Sequence, residues 1–416
     1  MVRSDTVLFV SYALRSHAMS MVLMARELRR RSRSVAFATQ EEGKGWLEAH
    51  GVPWVPFETG PGTVARLVEA RARASEQENW FESQATAMQS LVDEYPSSCD
   101  ALGGILRDVR PAVVVASVAT SAAVDLAARE GIRLAIRSPY VPDTMRRYSL
   151  GWPHWTWRAG AHGFWGRLGG VRRLRAVRDR FATLRRRVFP PAGSLPFERS
   201  LPLMAATAPC IEPPGEFTPN VTLLGPMLSD ALPPLAAATR EWLDARRDEG
   251  VVLAALGTLV RPQERLVRAL AEGFVASGQN VLWALPEPQR RHAGDLGPRI
   301  RVEPFVEQLA ALGHPAVRSF VSHAGAGSMM ESLSRGVPML CIPFMLDQPY
   351  YADRVAATGA GLRLDRHGLH GAHVADALTR IRREPRFAAT ASDMAASLAG
   401  MPGAAGGADV VDRLLR

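Results

Sequence analysis

The sequence predicts an α/β fold divided between two domains, and three observations lead to that prediction. A chain of 416 residues, 47% hydrophobic and 22% charged, is globular but too long for one compact core. Short apolar runs alternate with helical segments in both halves of the chain, which is typical of doubly wound α/β domains. A proline-bearing stretch at residues 226–236 separates the two halves.

Five short apolar runs predict the strands of the first half. They are continuous rather than alternating, so we expect parallel strands that are covered on both faces. The runs are residues 7–12, 34–39, 52–57, 112–116 and 134–137, with helical stretches at 19–31 and 121–129 between them. The first run follows a basic residue, as in a signal peptide, but no small-residue cleavage site follows it. A first strand therefore explains it better.

Residues 140–191 break this alternation. An aromatic cluster comes first, made of Tyr148, Trp152, Trp155, Trp157, Phe164 and Trp165. A helical segment with many arginines follows: Arg172, Arg173, Arg175, Arg178, Arg180, Arg185, Arg186 and Arg187. Apolar residues recur among them every three to four positions, which predicts one buried and one charged face: Leu174, Val177, Phe181 and Leu184. For the arginine-rich helix we favour a solvated surface position over contact with a membrane or a partner protein. For the aromatic cluster we favour a hydrophobic wall around an acceptor pocket.

The second half repeats the α/β alternation. Its predicted strands are residues 251–255, 280–284, 301–302, 319–322 and 339–342. The predicted organisation is a first domain at 1–225, a linker at 226–236 and a second domain at 237–400. A C-terminal helix at 401–416 completes the chain, and we expect it to pack back on the first domain.

Charge and cysteine content narrow the classes of partner. The net charge is +9, carried almost wholly by arginine, and favours phosphorylated ligands only weakly. The longest apolar runs are about eight residues, so we expect no stable membrane insertion, and nothing in the sequence points to nucleic acid. Cys99, Cys210 and Cys341 are widely spaced and without nearby metal-ligand partners. This favours reduced thiols and a cytoplasmic location.

A glycine-containing turn is the most informative segment of the sequence. A predicted strand ends at His323, small residues follow, and a helix is predicted to begin near Ser328. Helix N-termini present unpaired N–H groups and partial positive charge to anions, while Gly325 and Gly327 would let a ligand approach the backbone. The alternative interpretation is a helix capping box formed by Ser328 and Glu331, which needs no ligand.

Polar residues on three further loops support a ligand site. Asp347 and Gln348 follow a predicted strand, at the edge of the sheet where ligands of open α/β sheets bind. Phe305, Val306 and Gln308 supply an aromatic face and an amide on another loop. Gly257 and Thr258 end the first strand of the second half with a small turn.

This ordered set of residues, running from Gly257 to Gln348, resembles the signature of the family 1 glycosyltransferases. That family has the type B fold, with two Rossmann-like domains facing a shared cleft, and includes UDP-glycosyltransferases and bacterial antibiotic glycosyltransferases. The resemblance implies that Phe305 stacks on the nucleobase, in place of the usual tryptophan, and that Gln308 bonds the base edge. His323 and Ser328, with N–H groups near Gly327, would hold the diphosphate.

The same resemblance also implies which residues bind the two sugars of the donor, the ribose and the sugar that is transferred. Glu331 would bind the ribose hydroxyls, and Asp347 with Gln348 would bind the transferred sugar. An asparagine often found soon after the Asp-Gln pair is Tyr351 here. The base, uracil or thymine, and the identity of the sugar therefore stay open.

A histidine and a serine are the candidate catalytic residues of the first half. His17, between the first strand and first helix, resembles the family's base, which takes the proton of the acceptor hydroxyl. The family commonly pairs that histidine with an aspartate after a later strand, where this sequence has Ser117. Three interpretations stay open: a slower base, an acidic acceptor that needs little deprotonation, or lost catalysis. Asp125 is two helical turns further on and is expected to face elsewhere.

The resulting hypothesis is an inverting, metal-independent transfer from a UDP- or dTDP-sugar to a hydroxyl of a small apolar acceptor. No cofactor is expected beside the nucleotide sugar, and no Asp-x-Asp pair is present to clamp a metal. A binding protein that has lost catalysis, a sugar-nucleotide epimerase and a lipid-directed transferase are the alternatives. The acceptor's identity is left open, and so is a homodimer.

Overall fold

The computed structural model describes residues 5–141, 164–192, 201–213, 217–229 and 234–416. The chain forms two compact units. Unit 1 comprises Met1–Thr207, Pro214–Leu228 and Pro402–Arg416; unit 2 comprises Ala208–Pro213 and Ser229–Met401. Each unit contains one parallel sheet, so the predicted α/β class is confirmed.

The sheet of unit 1 has seven parallel strands in the order β3-β2-β1-β4-β5-β6-β7. The strands are β1 (Val7–Val10), β2 (Val35–Thr39), β3 (Trp54–Pro56), β4 (Val113–Ser117), β5 (Arg133–Ser138), β6 (Leu203–Ala205) and β7 (Val221–Leu223). The chain builds outward from β1 in one direction and then returns to add β4 on its other side. The loops after β1 and β4 thus lie at the topological switch point, where ligands of such sheets bind.

Helices cover both faces of this sheet. They are α1 (Arg15–Arg30), α2 (Lys44–Ala49), α3 (Thr63–Glu76), α4 (Trp80–Val109), α5 (Ser121–Arg129), α6 (Phe164–Val188) and the C-terminal helix (Gly403–Leu415). One core includes Leu67, Leu102 and Val124 from α3, α4 and α5, while the other includes Met24 of α1 and Val411 of the C-terminal helix.

Ion pairs fix the C-terminal helix to the end of α1. Arg31 donates to Asp409 and Asp412 at 2.6 and 3.0 Å, and Arg33 donates to Asp412 at 2.7 Å. A Cβ on Gly407 would lie only 2.8 Å from the Met24 side chain, so glycine permits the close approach of the two helices.

The arginine-rich segment is helix α6, and its apolar residues pack into the core as predicted. Val177 and Phe181 are buried and Leu174 packs against them. Arg185 differs from the prediction of a charged outer position, because it is fully buried and forms a bidentate ion pair with Asp125. The aromatic cluster of residues 148–165 lies outside the residues whose side chains the structure describes.

Unit 2 has six parallel strands in the order β10-β9-β8-β11-β12-β13, which repeats the order of the first six strands of unit 1. The strands are β8 (Val251–Ala255), β9 (Asn280–Ala284), β10 (Ile300–Glu303), β11 (Val317–Ser322), β12 (Met339–Cys341) and β13 (Gly361–Arg363). Its helices are α7 (Ala237–Asp244), α8 (Glu264–Ser277), α9 (Glu287–Arg290), α10 (Gln308–Leu312), α11 (Ala326–Leu333), α12 (Gln348–Thr358), α13 (Gly371–Arg383) and α14 (Pro385–Ala399). The loops after β8 and β11 lie at its switch point.

The largest differences from the predicted elements concern short strands and the division of the chain. The three-residue strands β6, β7 and β13 were not predicted, because such short runs carry little periodic signal. Residues 208–213, expected in the first domain, belong to unit 2. There Arg354 of α12 donates to the carbonyl oxygen of Ile211 at 2.6 Å. Within the described part of the chain, every helix is too short or too polar to span a bilayer.

Candidate functional site

The switch point of unit 2 brings the loops after β8 and β11 into contact. Gly257, just beyond β8, has a φ of +77°, which favours glycine. A Cβ on Gly257 would lie 2.7 Å from Cε1 of His323, and one on Gly325 would lie 2.6 Å from Nε2 of the same ring. The His323 imidazole therefore occupies the space that both glycines leave. This replaces our expectation that Gly325 serves close approach of a ligand, whereas Gly327 does face open space.

His323 is held as a neutral imidazole. Desolvation of the partly buried ring lowers its pKa to about 4, and its Nδ1 atom is buried without a hydrogen-bond partner. At neutral pH the side chain carries no charge and can donate one N–H to an anion.

Helix α11 starts earlier than predicted, and the capping-box interpretation is wrong. The N-cap is Gly325, no side chain caps the first turn, and Ser328 is the third residue of the helix. The Ser328 hydroxyl instead accepts a hydrogen bond from Gln308 at 3.1 Å. The N–H groups of the first turn are thus left to an anion, which the positive end of the helix favours.

The loop after β10 carries an exposed aromatic ring and, three residues later, the amide that contacts Ser328. Phe305 is 56% exposed, whereas the neighbouring Val306 is buried. The Gln308 amide nitrogen also donates to Glu331 at 2.6 Å, which links α10 to α11. An exposed phenylalanine ring can stack on a base, and an amide and a carboxylate held together can bind hydroxyls.

Asp347 and Gln348 lie at the start of helix α12, beyond β12. The Gln348 carbonyl oxygen accepts hydrogen bonds from the backbone N–H groups of Phe344 and Met345 at 2.9 and 3.1 Å. Its role is therefore partly structural, since its carbonyl oxygen is used within its own loop. The Asp347 carboxylate makes no cap hydrogen bond.

Two non-glycine residues with positive φ occur in these loops, Ala324 at +60° and Leu346 at +54°. Such conformations cost about 1–3 kcal/mol each and tend to occur at functional sites. They support a ligand site in the loops after β11 and β12.

In unit 1, His17 lies within the first turn of α1 rather than in a loop before it, because α1 begins at Arg15. Its Nδ1 atom is buried and has no hydrogen-bond partner. Desolvation, with the positive charges of Arg71 and Arg137, lowers the pKa of His17 to about 3. Sequence reasoning missed both arginines, because Arg71 lies on a different element and neither belongs to a motif.

Ser117, which stands where the family commonly has an aspartate, makes no hydrogen bond with His17. It ends β4, is fully buried, and its hydroxyl accepts from the backbone N–H of Ala119 at 3.4 Å. Asp125 faces elsewhere, as predicted, and binds Arg185 together with the Tyr95 hydroxyl. Neither residue can therefore offset an imidazolium at His17.

Comparison with known proteins finds sequence relatives for the second half of the chain and shows the fold of the whole chain. Residues 204–396, just under half of the chain, match the family model for UDP-glucoronosyl and UDP-glucosyl transferases. Mouse UDP-glucuronosyltransferase 3A2 is 29% identical over 175 residues, which is 42% of this chain and 34% of that protein. Human UDP-glucuronosyltransferase 2B7 is 29% identical over 175 residues, 42% of this chain and 32% of that one. The chain thus spans about a third of the length of the curated relatives that it matches.

Solved structures match over nearly the whole chain. The glycotransferase of kitacinnamycin is 22% identical with a TM-score of 0.73, and both chains are covered completely. CalG4, the calicheamicin glycosyltransferase, is 20% identical with a TM-score of 0.71, covering 100% of this chain and 99% of that one. Glycosyltransferase VinC in complex with dTDP is 21% identical with a TM-score of 0.69, covering 99% of each chain. The chain has the glycosyltransferase type B fold.

In this type B fold, the family match covers β11, α11 and β12, the elements that carry the glycine-containing turn and the Asp-Gln pair. The resemblance to family 1 glycosyltransferases is thereby confirmed for the second half of the sequence.

Proposed function

We propose that this chain transfers a sugar from a UDP- or dTDP-sugar to an oxygen of a small acceptor with a largely apolar body. Unit 2 binds the nucleotide sugar and unit 1 binds the acceptor. The acceptor oxygen forms a bond to the anomeric carbon as the bond to the diphosphate breaks, with inversion at that carbon. No metal ion takes part. Reduced cysteines support a cytoplasmic enzyme, since Cys99, Cys210 and Cys341 are all free.

The observation that carries this proposal is the uncapped N-terminus of α11 at the switch point of unit 2. It combines N–H groups, the positive end of a helix and the neutral imidazole of His323, all suited to a diphosphate. These dipoles are fixed before the reaction, so they stabilise the negative charge of the departing diphosphate without reorganisation.

The rest of the donor fits the neighbouring residues. Exposure of the Phe305 ring supports its stacking on a pyrimidine, and the hydrogen bond that Gln308 donates to Glu331 supports a ribose-binding role for that carboxylate. In this proposal Asp347 and the amide of Gln348, at the start of α12, bind hydroxyls of the transferred sugar. The matched structure of VinC contains dTDP, which supports a nucleoside diphosphate as the ligand here.

Replacing Asp347 by alanine tests the donor assignment. We expect the Asp347→Ala variant to bind UDP-glucose or dTDP-glucose about tenfold more weakly than the wild type, because one hydrogen bond to a charged group is lost. Its affinity for UDP or dTDP should change less than about twofold. Calorimetric titration of all four ligands measures both effects, and an equal loss for nucleotide sugars and free diphosphates would exclude the sugar contact.

A binding protein without transferase activity is the second candidate, and the surroundings of His17 favour it. Two positive charges and no described carboxylate partner oppose the protonation that a catalytic base needs. A protein that binds donors but neither hydrolyses them nor transfers the sugar would establish this candidate. Chromatographic detection of released UDP or dTDP decides between the two.

A further inference from the structure

On the basis of the proposed function, the charge of the acceptor can be inferred from a buried arginine of unit 1. Arg71 of α3 is 3% exposed, and its Nη1 atom donates to the carbonyl oxygen of Leu67 at 3.0 Å, within its own helix. Its Nε atom is buried without a partner, and no described carboxylate forms an ion pair with its guanidinium. A buried guanidinium stays charged, so this arrangement leaves a positive charge uncompensated inside the protein.

The charge of Arg71 acts on the loop after β1. It opposes protonation of His17, in the first turn of α1. Burial raises the pKa of Tyr12, which lies in the loop itself, and the charge of Arg71 offsets a small part of that rise. Tyr12 itself is held by a hydrogen bond between its hydroxyl and that of Ser98 at 2.9 Å. Glu94, whose charge also reaches Tyr12, is paired with Arg66 at 2.7 Å.

A second buried arginine approaches the same edge from another strand. Arg137 is 5% exposed and lies one residue before the end of β5, in register with Ser117 at the end of β4. Paired residues of parallel strands project to the same face, here the face that α1 covers. The charge of Arg137 also opposes protonation of His17. Positive charge thus comes from α3 on one face and from β5 on the other.

A pair of buried arginines stabilises an anion, not an imidazolium. We propose that the acceptor binds in unit 1 with its reacting oxygen already ionised, as an acidic phenol or a carboxylic acid, and that Arg71 binds this oxyanion beside His17. The charge of Arg137 adds to the positive potential there. The oxyanion then forms a bond to the anomeric carbon, and the electrons of the breaking bond go to the diphosphate. No proton has to be removed, so His17 positions the acceptor rather than acting as a base.

Binding of 4-nitrophenol to the protein without donor is the direct test. The phenolate absorbs visible light and the neutral phenol does not, so a pH titration with excess protein gives the pKa of the bound phenol. We expect the wild type to lower that pKa by about one unit, a tenfold preference for the anion. Arg71→Met should remove most of this shift and Arg71→Lys should retain it. Arg73→Met, on the exposed face of the same helix, is the matched control and should behave as the wild type.

Stability separates a binding role from a structural one. Arg71→Met removes an uncompensated buried charge, so its free energy of unfolding should be equal to that of the wild type or higher. No shift for the wild-type protein, no binding of 4-nitrophenol, or the same loss in Arg73→Met would each overturn the proposal. A loss of stability in Arg71→Met together with an unchanged shift in pKa would also overturn it.

Transfer assays distinguish this inference from the proposed function. Benzoate, 4-nitrophenol, phenol and benzyl alcohol form a series of falling acidity, to be tested with UDP-glucose and dTDP-glucose. We expect transfer to 4-nitrophenol or benzoate, and a decrease of kcat/KM by about tenfold or more in Arg71→Met. In His17→Asn we expect KM for the acceptor to rise while kcat falls less than about threefold, as for a residue that positions the acceptor but removes no proton. Identification of the product distinguishes the two kinds of acceptor, because a phenolate gives an aryl glycoside and a carboxylate gives a glycosyl ester.

Transfer to benzyl alcohol that is unchanged by Arg71→Met would overturn the inference while confirming the proposed function. Transfer to none of the four, with the 4-nitrophenol shift intact, would count against the proposed function alone.

Discussion

At the scale of single residues, the proposed donor site depends on two glycines that make room for one imidazole. Gly257 and Gly325 each lie so close to His323 that a methyl group would overlap the ring. The sequence indicates small residues at both positions, but the reason becomes visible only when the loops after β8 and β11 meet. From the sequence we expected a ligand to approach the backbone at Gly325, whereas the His323 side chain fills that space.

Replacing Gly257 by alanine should displace the His323 imidazole. We expect the affinity for UDP or dTDP to fall about tenfold or more, the loss of one hydrogen bond to a charged group. Gly278→Ala is the matched control, since Gly278 also has a positive φ, at +62°, but no atom within 4 Å of the added Cβ. Both variants carry backbone strain, and only the first moves the histidine. Titration calorimetry measures the affinities, and an equal decrease in both variants would contradict this account.

At the scale of elements, a buried ion pair joins three helices of unit 1. Asp125 of α5 accepts two hydrogen bonds from Arg185 of α6, at 2.7 and 2.9 Å, and a third from Tyr95 of α4 at 2.8 Å. The side chains of the ion pair are fully buried. Since both carboxylate oxygens are occupied, the pair fixes the mutual positions of these helices.

Breaking the pair on one side should cost far more than replacing both partners. We expect Asp125→Ala to lower the free energy of unfolding by about 3–5 kcal/mol, because it leaves Arg185 buried without a counter-charge. The double variant Asp125→Leu with Arg185→Leu should lose less than the single one. Urea denaturation of wild-type, single and double variants measures these differences. A double variant that is less stable than Asp125→Ala would show that the pair is not the source of the loss.

Helix α6 shows which features of an element can be predicted from sequence. The spacing of Leu174, Val177 and Phe181 predicts its buried face, because periodicity is a local property. The burial of Arg185 depends on Asp125, which is distant in sequence, and no local pattern indicates it. The same reason explains why the strand ends of β8 and β9 are predicted correctly whereas Arg71 beside His17 is not. The local hydrophobic pattern therefore predicts the helices and strands, whereas ion pairs and nearby charges depend on tertiary contacts between residues that are distant in sequence.

At the scale of the whole molecule, the two units share a strand order and each has a histidine at its switch point. His17 follows β1 in unit 1, and His323 follows β11 in unit 2. Both are kept neutral by desolvation, with pKa values lowered to about 3 and about 4 from 6.5. The two sites therefore impose the same dependence of stability on pH.

The sign follows from proton binding. Below pH 6.5 each histidine is protonated in the unfolded chain but stays neutral in the folded one, so the unfolded state binds more protons. The stabilisation is present above pH 6.5 and is lost as the pH falls from there towards the folded pKa values. Between pH 8 and pH 5, the burial of each neutral histidine should therefore lower the free energy of unfolding by about 2 kcal/mol.

His17→Asn should remove this loss from unit 1, and His323→Asn should remove it from unit 2. Denaturation followed by hydrogen exchange of peptides from each unit measures the two effects separately, with pH 8 as the reference. If wild type and variants lost the same stability between pH 8 and pH 5, these histidines would not be buried as neutral imidazoles.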